Sequence, residues 1–220
     1  MKYTVYTLLA ILLFNVSCGT LHHSEHVYQS PKLNGLKPGI LTVAVLPFKA
    51  VVDFSSPPEG ITSESLNDMQ KKMGYDIQDR VCWILLTNKD KFSVKFQEIK
   101  KTNELLSAAE LEYRQITFMN KAELCDILGV DAVISGNIVM SCPLSGQAAL
   151  ARTIMFGGIV GSNNTTNKTT LSLSTHHKAG DLLWKHDYTI NGKVGSSSQN
   201  QTIALIDKVP HVFPFLVAEK

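Results

Sequence analysis

The chain's strongest constraint on its fold is residues 41–48, Leu-Thr-Val-Ala-Val-Leu-Pro-Phe. The run is almost wholly apolar, rich in β-branched residues, without a helical period, and closed by Pro47. Such a run is typical of a central strand covered on both faces, as in an α/β domain. A second run of similar character, residues 130–140, follows a predicted helix. Together they predict an α/β fold.

Hydrophobic spacing and turn residues predict the remaining elements. They are helices at 63–87, 102–114, 121–128 and a last one opened by 196–198, and strands at 92–96, 168–175 and 182–190. The last two strands form a hairpin around a turn at 178–181. Within the first helix, Gly74 costs about 1 kcal/mol relative to alanine. Gly129 stands where a left-handed residue ends the third helix.

The amino terminus resembles a secretory signal. Residues 1–17 carry a single cation, Lys2, ahead of an apolar core, and this segment is too short to cross a membrane as a helix. Cys18 follows in a pattern that resembles the bacterial lipobox, although Asn15 replaces a usual leucine. This resemblance implies cleavage before Cys18 and lipid attachment to its thiol, while the alternative is ordinary cleavage with an unmodified Cys18.

We therefore predict three parts: a signal peptide at 1–17, a flexible tether at 18–39, and a single α/β domain at 40–220. The tether is polar and contains His22, His23 and His26 together with prolines and glycines. Three histidines could bind a metal, but this composition favours a mobile linker. A hydrophobic content of 44% with 18% charged residues is ordinary for a globular domain.

The sequence carries no motif that indicates a catalytic or ligand-binding site. With a net charge of +2 and basic residues clustered only in pairs, nothing points to nucleic acid. No phosphate loop, dinucleotide fingerprint or Gly-x-Ser-x-Gly elbow is present in the sequence. The histidines His176, His177 and His186 lie on the two arms of the hairpin without metal-spaced partners, and Asp131 at a strand start favours backbone hydrogen bonding. We expect no enzyme activity, no catalytic residue, no metal and no cofactor.

Three cysteines remain beside Cys18: Cys82, Cys125 and Cys142. An odd number allows at most one internal disulfide. Cys125 and Cys142 bracket a strand of about 33 Å, so that pair is disfavoured. Buried free thiols are the preferred interpretation.

Residues 148–161 form an apolar, glycine-rich segment that includes Met155, Phe156 and Ile159. Fourteen residues are too few for a spanning helix. The favoured interpretation is a buried strand or helix. The alternative is an exposed apolar loop whose side chains Met155, Phe156 and Ile159 contact a membrane or a second subunit.

Three motifs resemble a group of envelope lipoproteins that includes CsgG, LpoB and the amino-terminal domain of TolB. They are Val-Ala-Val-Leu-Pro-Phe at 43–48, Leu-Gly-Val-Asp-Ala-Val-Ile-Ser-Gly at 128–136, and Ala-Gly-Asp-Leu-Leu-Trp at 179–184. The resemblance covers about residues 41–190. It implies a mixed β-sheet with packed helices, completed by a carboxy-terminal β-hairpin and helix. It also implies action by binding and assembly, since members of the group are not hydrolases.

The expected function is that of a lipid-anchored, periplasm-facing envelope lipoprotein, at the outer membrane, serving as a binding or assembly module for a cell-envelope protein complex. Its expected partners are the membrane, through the lipid, and envelope proteins, with homo-oligomerisation open. The alternative is a ring-forming subunit of a CsgG-like outer-membrane secretion channel. That channel needs two membrane-crossing hairpins per subunit, whereas only the region 148–173 is a candidate here.

Overall fold

The structure is a computed structural model that describes residues 23–36, 41–54, 60–142, 168–191 and 198–216. The strands are β1 (His23–Gln29), β2 (Thr42–Val45), β3 (Lys49–Phe54), β4 (Lys95–Phe96), β5 (Ala132–Cys142), β6 (Lys168–His177) and β7 (Leu182–Asn191). The α-helices are α1 (Ser63–Thr87), α2 (Ile99–Ala108), α3 (Tyr113–Phe118), α4 (Lys121–Leu128), α5 (Ser198–Ile206) and α6 (Val209–Val212). Short 3-10 helices lie at Pro31–Gly35 and Lys89–Lys91.

The seven strands form one mixed sheet in the order β1-β7-β6-β5-β2-β4, with β3 pairing β5 beyond the end of β2. Strands β2, β3 and β4 run parallel to their neighbours, as expected where helices connect them. Strands β5, β6, β7 and β1 are joined antiparallel. The predicted α/β fold with a mixed sheet, packed helices and a carboxy-terminal hairpin and helix is therefore confirmed.

The first predicted strand, 41–48, is only β2, and after a bulge at 46–48 the chain continues as β3, where the sequence predicted no strand. Val45 pairs with Ile134 and Lys49 with Asn137, so three residues, 46–48, face only two on β5, 135 and 136. The Leu46 amide still donates to the Ile134 carbonyl at 2.8 Å. One extra residue bends a strand and re-aims its backbone groups. Here Pro47 lies in the bulge, and the backbone amide and carbonyl of Phe48 bond to groups outside the sheet.

Helix α1 and Tyr113 supply hydrogen-bond partners for the backbone groups that the bulge leaves unpaired in the sheet. The Phe48 amide donates to the Gly74 carbonyl at 3.1 Å. The Tyr113 hydroxyl donates to the Phe48 carbonyl at 2.6 Å and accepts from the Ala50 amide at 3.0 Å. A Cβ on Gly74 would lie 2.6 Å from the Tyr113 hydroxyl and closer still to the Phe48 carbonyl oxygen. Gly74 is therefore required for this close approach, a role that helix propensity did not predict.

Two hydrophobic clusters lie on opposite faces of the sheet. The larger packs α1, α5, α6 and the Phe213–Phe215 segment against β2, β3 and the β5–β7 strands. The smaller packs α2, α3 and α4 against β2 and the first residues of β5, and contains no residue of β6 or β7. Among the described residues, helices therefore cover the second face at one end only.

The segment before residue 41 differs from the prediction. The sequence predicted a flexible tether at 18–39, but His23–Gln29 forms the edge strand β1 along β7, and Leu33 in the following 3-10 helix is buried in the larger cluster. The seven residues of β1 are mostly polar and carry no apolar period, and only the unpaired edge of β7 makes this segment a strand.

The predicted helix at 102–114 is two helices. Helix α2 ends at Ala108, Glu110 adopts a left-handed backbone with φ of 55°, and α3 begins at Tyr113. The break turns Tyr113 toward the bulge. The predicted strand at 92–96 is only Lys95–Phe96, because the Ser93 amide donates to the Phe215 carbonyl at 2.8 Å. Helices α1 and α4 lie where the sequence predicted them, and Gly129 has the expected left-handed φ of 62°.

Candidate functional site

The candidate site is the sheet face that the described helices leave uncovered, which we call the open face. Alternate side chains of β5, β6 and β7 point to it, and those of β1 and β3 extend it by their register. Most of its side chains on β5–β7 are polar and half-buried. They are Ser135, Asn137, Val139, Ser141, Thr170, Ser172, Ser174, Lys185, Asp187 and Thr189.

One row of residues crosses five strands at the middle of this face. Reading from β3 to β1, the cross-strand pairs place side by side Lys49, Asn137, Ser172, Asp187 and His26. We call this the central polar row. It has hydroxyl rows on both sides, with Ser135 Oγ 3.0 Å from Ser174 Oγ and Thr170 Oγ1 3.0 Å from Thr189 Oγ1. The face thus presents a regular lattice of hydrogen-bonding groups.

The charges in and beside the central polar row nearly balance, with Lys49 and Asp187 in the row and Lys185 in the adjacent one. Lys185 Nζ donates to Asp187 Oδ2 at 2.7 Å. Partial burial works to raise the pKa of the Asp187 carboxyl, but hydrogen bonds from Lys185 and Ser172 outweigh it, so the pKa lies below its ordinary value. At the other end, Lys49 Nζ lies 4.3 Å from the centre of the exposed Phe118 ring. Asn137 Oδ1 is buried without a hydrogen-bond partner among the described residues.

The serine, carboxylate and histidine of this row do not form a nucleophilic triad. A triad needs the imidazole between the hydroxyl and the carboxylate. Here Asp187 lies between Ser172 and His26, whose strands are both neighbours of β7 and therefore about 10 Å apart. His26 is thus beyond hydrogen-bond reach of Ser172. The arrangement suits hydrogen bonding to a partner surface.

Strand β1 borders the open face and is exposed along its length. Val27 and Tyr28, which point to opposite faces, are 56% and 48% exposed. On the helix-covered face, Glu25 Oε1 lies 2.8 Å from Nε2 of His186, which is only 3% exposed. Trp184 and Tyr188 flank the His186 ring, with centroids 5.8 and 6.0 Å away. This contact ties the edge strand to the core.

Asp131, which directly precedes β5, links the start of β2 to the turn that follows β6. Its carboxylate accepts from the Thr42 amide at 3.0 Å and from Lys178 Nζ at 2.7 Å. The hydrogen bond from Lys178, followed by that from Thr42, holds the pKa of Asp131 below its ordinary value. The predicted role of Asp131 in backbone hydrogen bonding is confirmed.

The three hairpin histidines do not converge. His186 pairs with Leu173, His176 pairs with Leu182, and the His177 ring accepts from the Ala179 amide at 3.2 Å. Burial, followed by the nearby Lys121 charge, lowers the pKa of His176. Within the part of the chain that the structure describes, no group of three histidine, cysteine or acidic residues could hold a metal ion.

Several predicted residues lie outside the described ones. They are the lipid-attachment residue Cys18 and the candidate contact residues Met155, Phe156 and Ile159, and the structure leaves these predictions as they stand. Cys82 and Cys125 are buried free thiols, as expected. Burial and the nearby Asp126 and Asp131 raise the pKa of Cys125 to about 11.

Sequence reasoning missed the open face, although a signal was present. Both arms of the hairpin alternate, so the polar positions beside the apolar Leu171 and Leu173 share the opposite face. Ser172 and Asp187 occupy matching polar positions on the two arms. Asn137 and His26 carry no such signal, because the long-range pairing of their strands decides their place.

The fold and the site define a mixed α/β domain with one sheet face that the described helices cover only in part. No family model matches the chain, and neither does any curated protein. Among solved structures, the chain is similar to a PelC dodecamer from Paraburkholderia phytofirmans, with 12% identity, a TM-score of 0.43, and 90% of this chain and 100% of that chain covered.

Two further similar structures are a lipoprotein and a domain of LpoB, which is one of the proteins that the sequence motifs resemble. Lipoprotein GNA1162 from Neisseria meningitidis has 12% identity and a TM-score of 0.38, covering 80% of this chain and 99% of that one. The LpoB carboxy-terminal domain from Salmonella enterica has 10% identity and a TM-score of 0.35, covering 70% of this chain and 84% of that one. At these values the similarity concerns only the arrangement of strands and helices.

Membrane attachment has no helical candidate among the described residues. None of their helices combines the length and the apolar character that crossing a bilayer requires.

Proposed function

We propose that the protein is a lipid-anchored, periplasm-facing envelope lipoprotein whose open face binds another envelope protein and holds it in a complex. The observation that carries the proposal is the central polar row, a set of polar side chains on five strands that meets the described helices at its Lys49 end, beside Phe118. Sheets that pack a helix layer on one face bury apolar side chains there, and a solvated face carries polar ones. A lattice of hydroxyl, amide and paired charged groups suits a protein surface that offers matching donors and acceptors.

The position of Cys18 supports attachment close to a membrane. The folded sheet begins at His23, so five Cα steps separate a lipid on Cys18 from strand β1. Five steps span at most about 17 Å. A lipid at Cys18 would therefore hold the sheet within about that distance of the bilayer surface, much nearer than a twenty-residue tether would.

No reaction is part of the proposal. An enzyme would need a pocket with convergent titratable groups. In the described part of the chain, the row that comes nearest to this places its histidine two strands from its serine. Residues Met155, Phe156 and Ile159 remain proposed contacts to the membrane or to a second subunit.

Two experiments test the two halves of the proposal. For anchoring, cells expressing Cys18→Ser are fractionated, and the native protein is examined by mass spectrometry for acyl groups. We expect acylated native protein in the envelope pellet and the variant in the soluble fraction. A variant that pellets as before, together with an unacylated native thiol, would refute the anchor.

For binding, Ser172→Lys on the open face is compared with Ser107→Lys, a matched substitution on the exposed side of α2. Both variants are crosslinked in intact envelopes, and the crosslinked species are identified by mass spectrometry. We expect the Ser172 change alone to remove heterologous crosslinks. Equal crosslinking in both variants would exclude the open face, and a ladder of large homo-oligomers would favour the ring-forming alternative.

A further inference from the structure

Edge strand β1 carries little protection against pairing with another chain, because its one acidic side chain, Glu25, is engaged by His186. Such protections are short edge strands, lysine or proline on the edge, bulges and covering elements. Across the sheet, β4 is only two residues long, and the Ala50 amide of β3 is capped by the Tyr113 hydroxyl. By contrast, β1 is seven residues long, runs without a register shift, and contains neither lysine nor proline.

The backbone of β1 presents hydrogen-bonding groups outward at known positions. The Ser30 amide donates to the carbonyl of Leu183, the residue opposite it, at 2.8 Å. Bonded and non-bonded pairs alternate along an antiparallel ladder. Ser24, His26 and Tyr28 therefore bond β7. The amides and carbonyls of Glu25, Val27 and Gln29 point away from the sheet.

The β1 strand of a second copy pairs with this edge better in one register than in the adjacent registers. In an antiparallel pair centred on His26, all seven residues of each strand overlap, whereas a shift of two residues leaves only five. The outward groups then meet outward groups, with Glu25 opposite Val27. Centring on Glu25 instead would place two like charges opposite each other, which is destabilising.

The side chains of this register are also compatible. His26 faces its own copy on the open face, beside Asp187 of each chain, while Ser24 faces Tyr28. On the other face, Glu25 is already engaged by His186, so the apolar Val27 meets a carboxylate whose charge has a partner. Both exposed apolar side chains of β1, Val27 and Tyr28, are covered by the pairing.

We propose that β1 is a self-association edge, on which a second copy of this chain adds its own β1 antiparallel in the register centred on His26. This deepens the proposed function, because it assumes the binding role and names one partner and its mode. A seven-residue contact is small for a stable dimer in solution. Two copies confined to one membrane meet at a higher effective concentration, which favours such a weak contact. The linkers leave opposite ends of the paired strands, and both reach one bilayer when the two-fold axis is normal to it.

The register is tested by disulfide trapping in isolated envelopes that contain the full chain carrying Cys142→Ser. His26 residues of two copies would form a non-hydrogen-bonded pair about 4.5 Å apart between Cα atoms, which lies within disulfide range. We expect His26→Cys to form a covalent dimer on mild oxidation. Ser24→Cys and Tyr28→Cys should each stay monomeric alone and crosslink when mixed. The parental Cys142→Ser chain corrects for disulfides through the remaining cysteines.

Proline provides the matched control for the backbone contact. Val27→Pro removes only an outward amide, which an edge strand tolerates, whereas Tyr28→Pro removes a bond to β7. In the His26→Cys chain, Val27→Pro should lower the yield of crosslinked dimer about tenfold, because it removes one donor from each copy. Its thermal unfolding should stay near that of the parent, while Tyr28→Pro unfolds at a lower temperature.

Three outcomes would overturn the inference: no His26→Cys dimer in a folded protein, preferential trapping of Glu25→Cys or Val27→Cys instead, or a dimer yield that Val27→Pro leaves unchanged. If disulfide trapping fails while Cys18→Ser moves to the soluble fraction as expected, the proposed function stands without self-association. Trapping of His26→Cys, together with membrane retention of Cys18→Ser and an unacylated native Cys18, would instead refute the anchor alone.

Discussion

Gly74→Ala gives the sharpest test of how this fold is built, because helix propensity and the structure predict opposite signs. Gly74 lies in the middle of α1. Replacing a mid-helix glycine by alanine normally stabilises a helix by about 1 kcal/mol. In this structure the added Cβ would lie 2.6 Å from the Tyr113 hydroxyl and closer still to the Phe48 carbonyl oxygen.

The magnitude follows from the contacts that must move. Relief of the overlap separates α1 from the bulge and weakens three hydrogen bonds: Phe48 amide to Gly74 carbonyl at 3.1 Å, Tyr113 hydroxyl to Phe48 carbonyl at 2.6 Å, and Ala50 amide to Tyr113 hydroxyl at 3.0 Å. Each contributes about 1 kcal/mol net, so about 3 kcal/mol is at risk. After the gain in helix propensity of about 1 kcal/mol, we expect a net loss of about 2 kcal/mol.

The assay is urea unfolding followed by circular dichroism, with the free energy of unfolding extrapolated to water. Asn67→Ala, on an exposed turn of the same helix, is the matched control and should stabilise by a few tenths of a kcal/mol. Tyr113→Phe should destabilise, and its effect should shrink in the Gly74→Ala background because both changes break the same contacts. A Gly74→Ala protein at least as stable as the wild type would refute the close approach.

Three further predictions address the edge segment, the sheet end and the buried thiol. Leu33→Ala should lower the free energy of unfolding by about 2 kcal/mol, because Leu33 is only 7% exposed within the core. The control Val27→Ala, on the exposed edge, should change the free energy of unfolding little. Negligible effects of both substitutions would support a flexible tether instead. Asp131→Asn should be less stable than wild type at pH 7, because a carboxyl whose pKa is lowered in the folded state stabilises the fold above its unfolded pKa. This difference in stability should narrow as the pH falls below about 4, which unfolding curves measured across pH would show. Cys125, with a pKa raised to about 11, should resist iodoacetamide at pH 8 in the native protein and react in urea, as mass spectrometry of the digested protein would show; modification at equal rates in both states would contradict its burial.

The elements that the sequence predicted well are those whose signals are local. Helix α1 carries a long apolar stripe, Gly129 is a helix-ending glycine, and the hairpin arms alternate around a turn. Each of these signals is read within a few residues. The mixed α/β sheet follows from them together with the apolar runs at 41–48 and 130–140.

The features that sequence reasoning missed depend on contacts between distant residues. Gly74 looked like a weak point of a helix, because its reason is a bulge 26 positions earlier at Phe48. His23–Gln29 looked like a tether, because a fully exposed edge strand needs no apolar period and is fixed only by the β7 edge beside it. The central polar row was invisible for the same reason, since it assembles single residues from five strands.

The edge strand changes what the anchor can do. With a twenty-residue tether, a lipid on Cys18 would leave the domain free to sample positions and orientations roughly 25 Å from the bilayer. With β1 starting at His23, the proposed lipid would hold the strand itself within about 17 Å of the membrane and would limit how the sheet can turn. Anchoring, the open face and the exposed edge would then act on one sheet, because the strand that receives the linker also contributes His26 to the central polar row. A change at His26 or Val27 should therefore alter association at the membrane without touching the lipid, and a change at Cys18 should alter location without touching the register of β1.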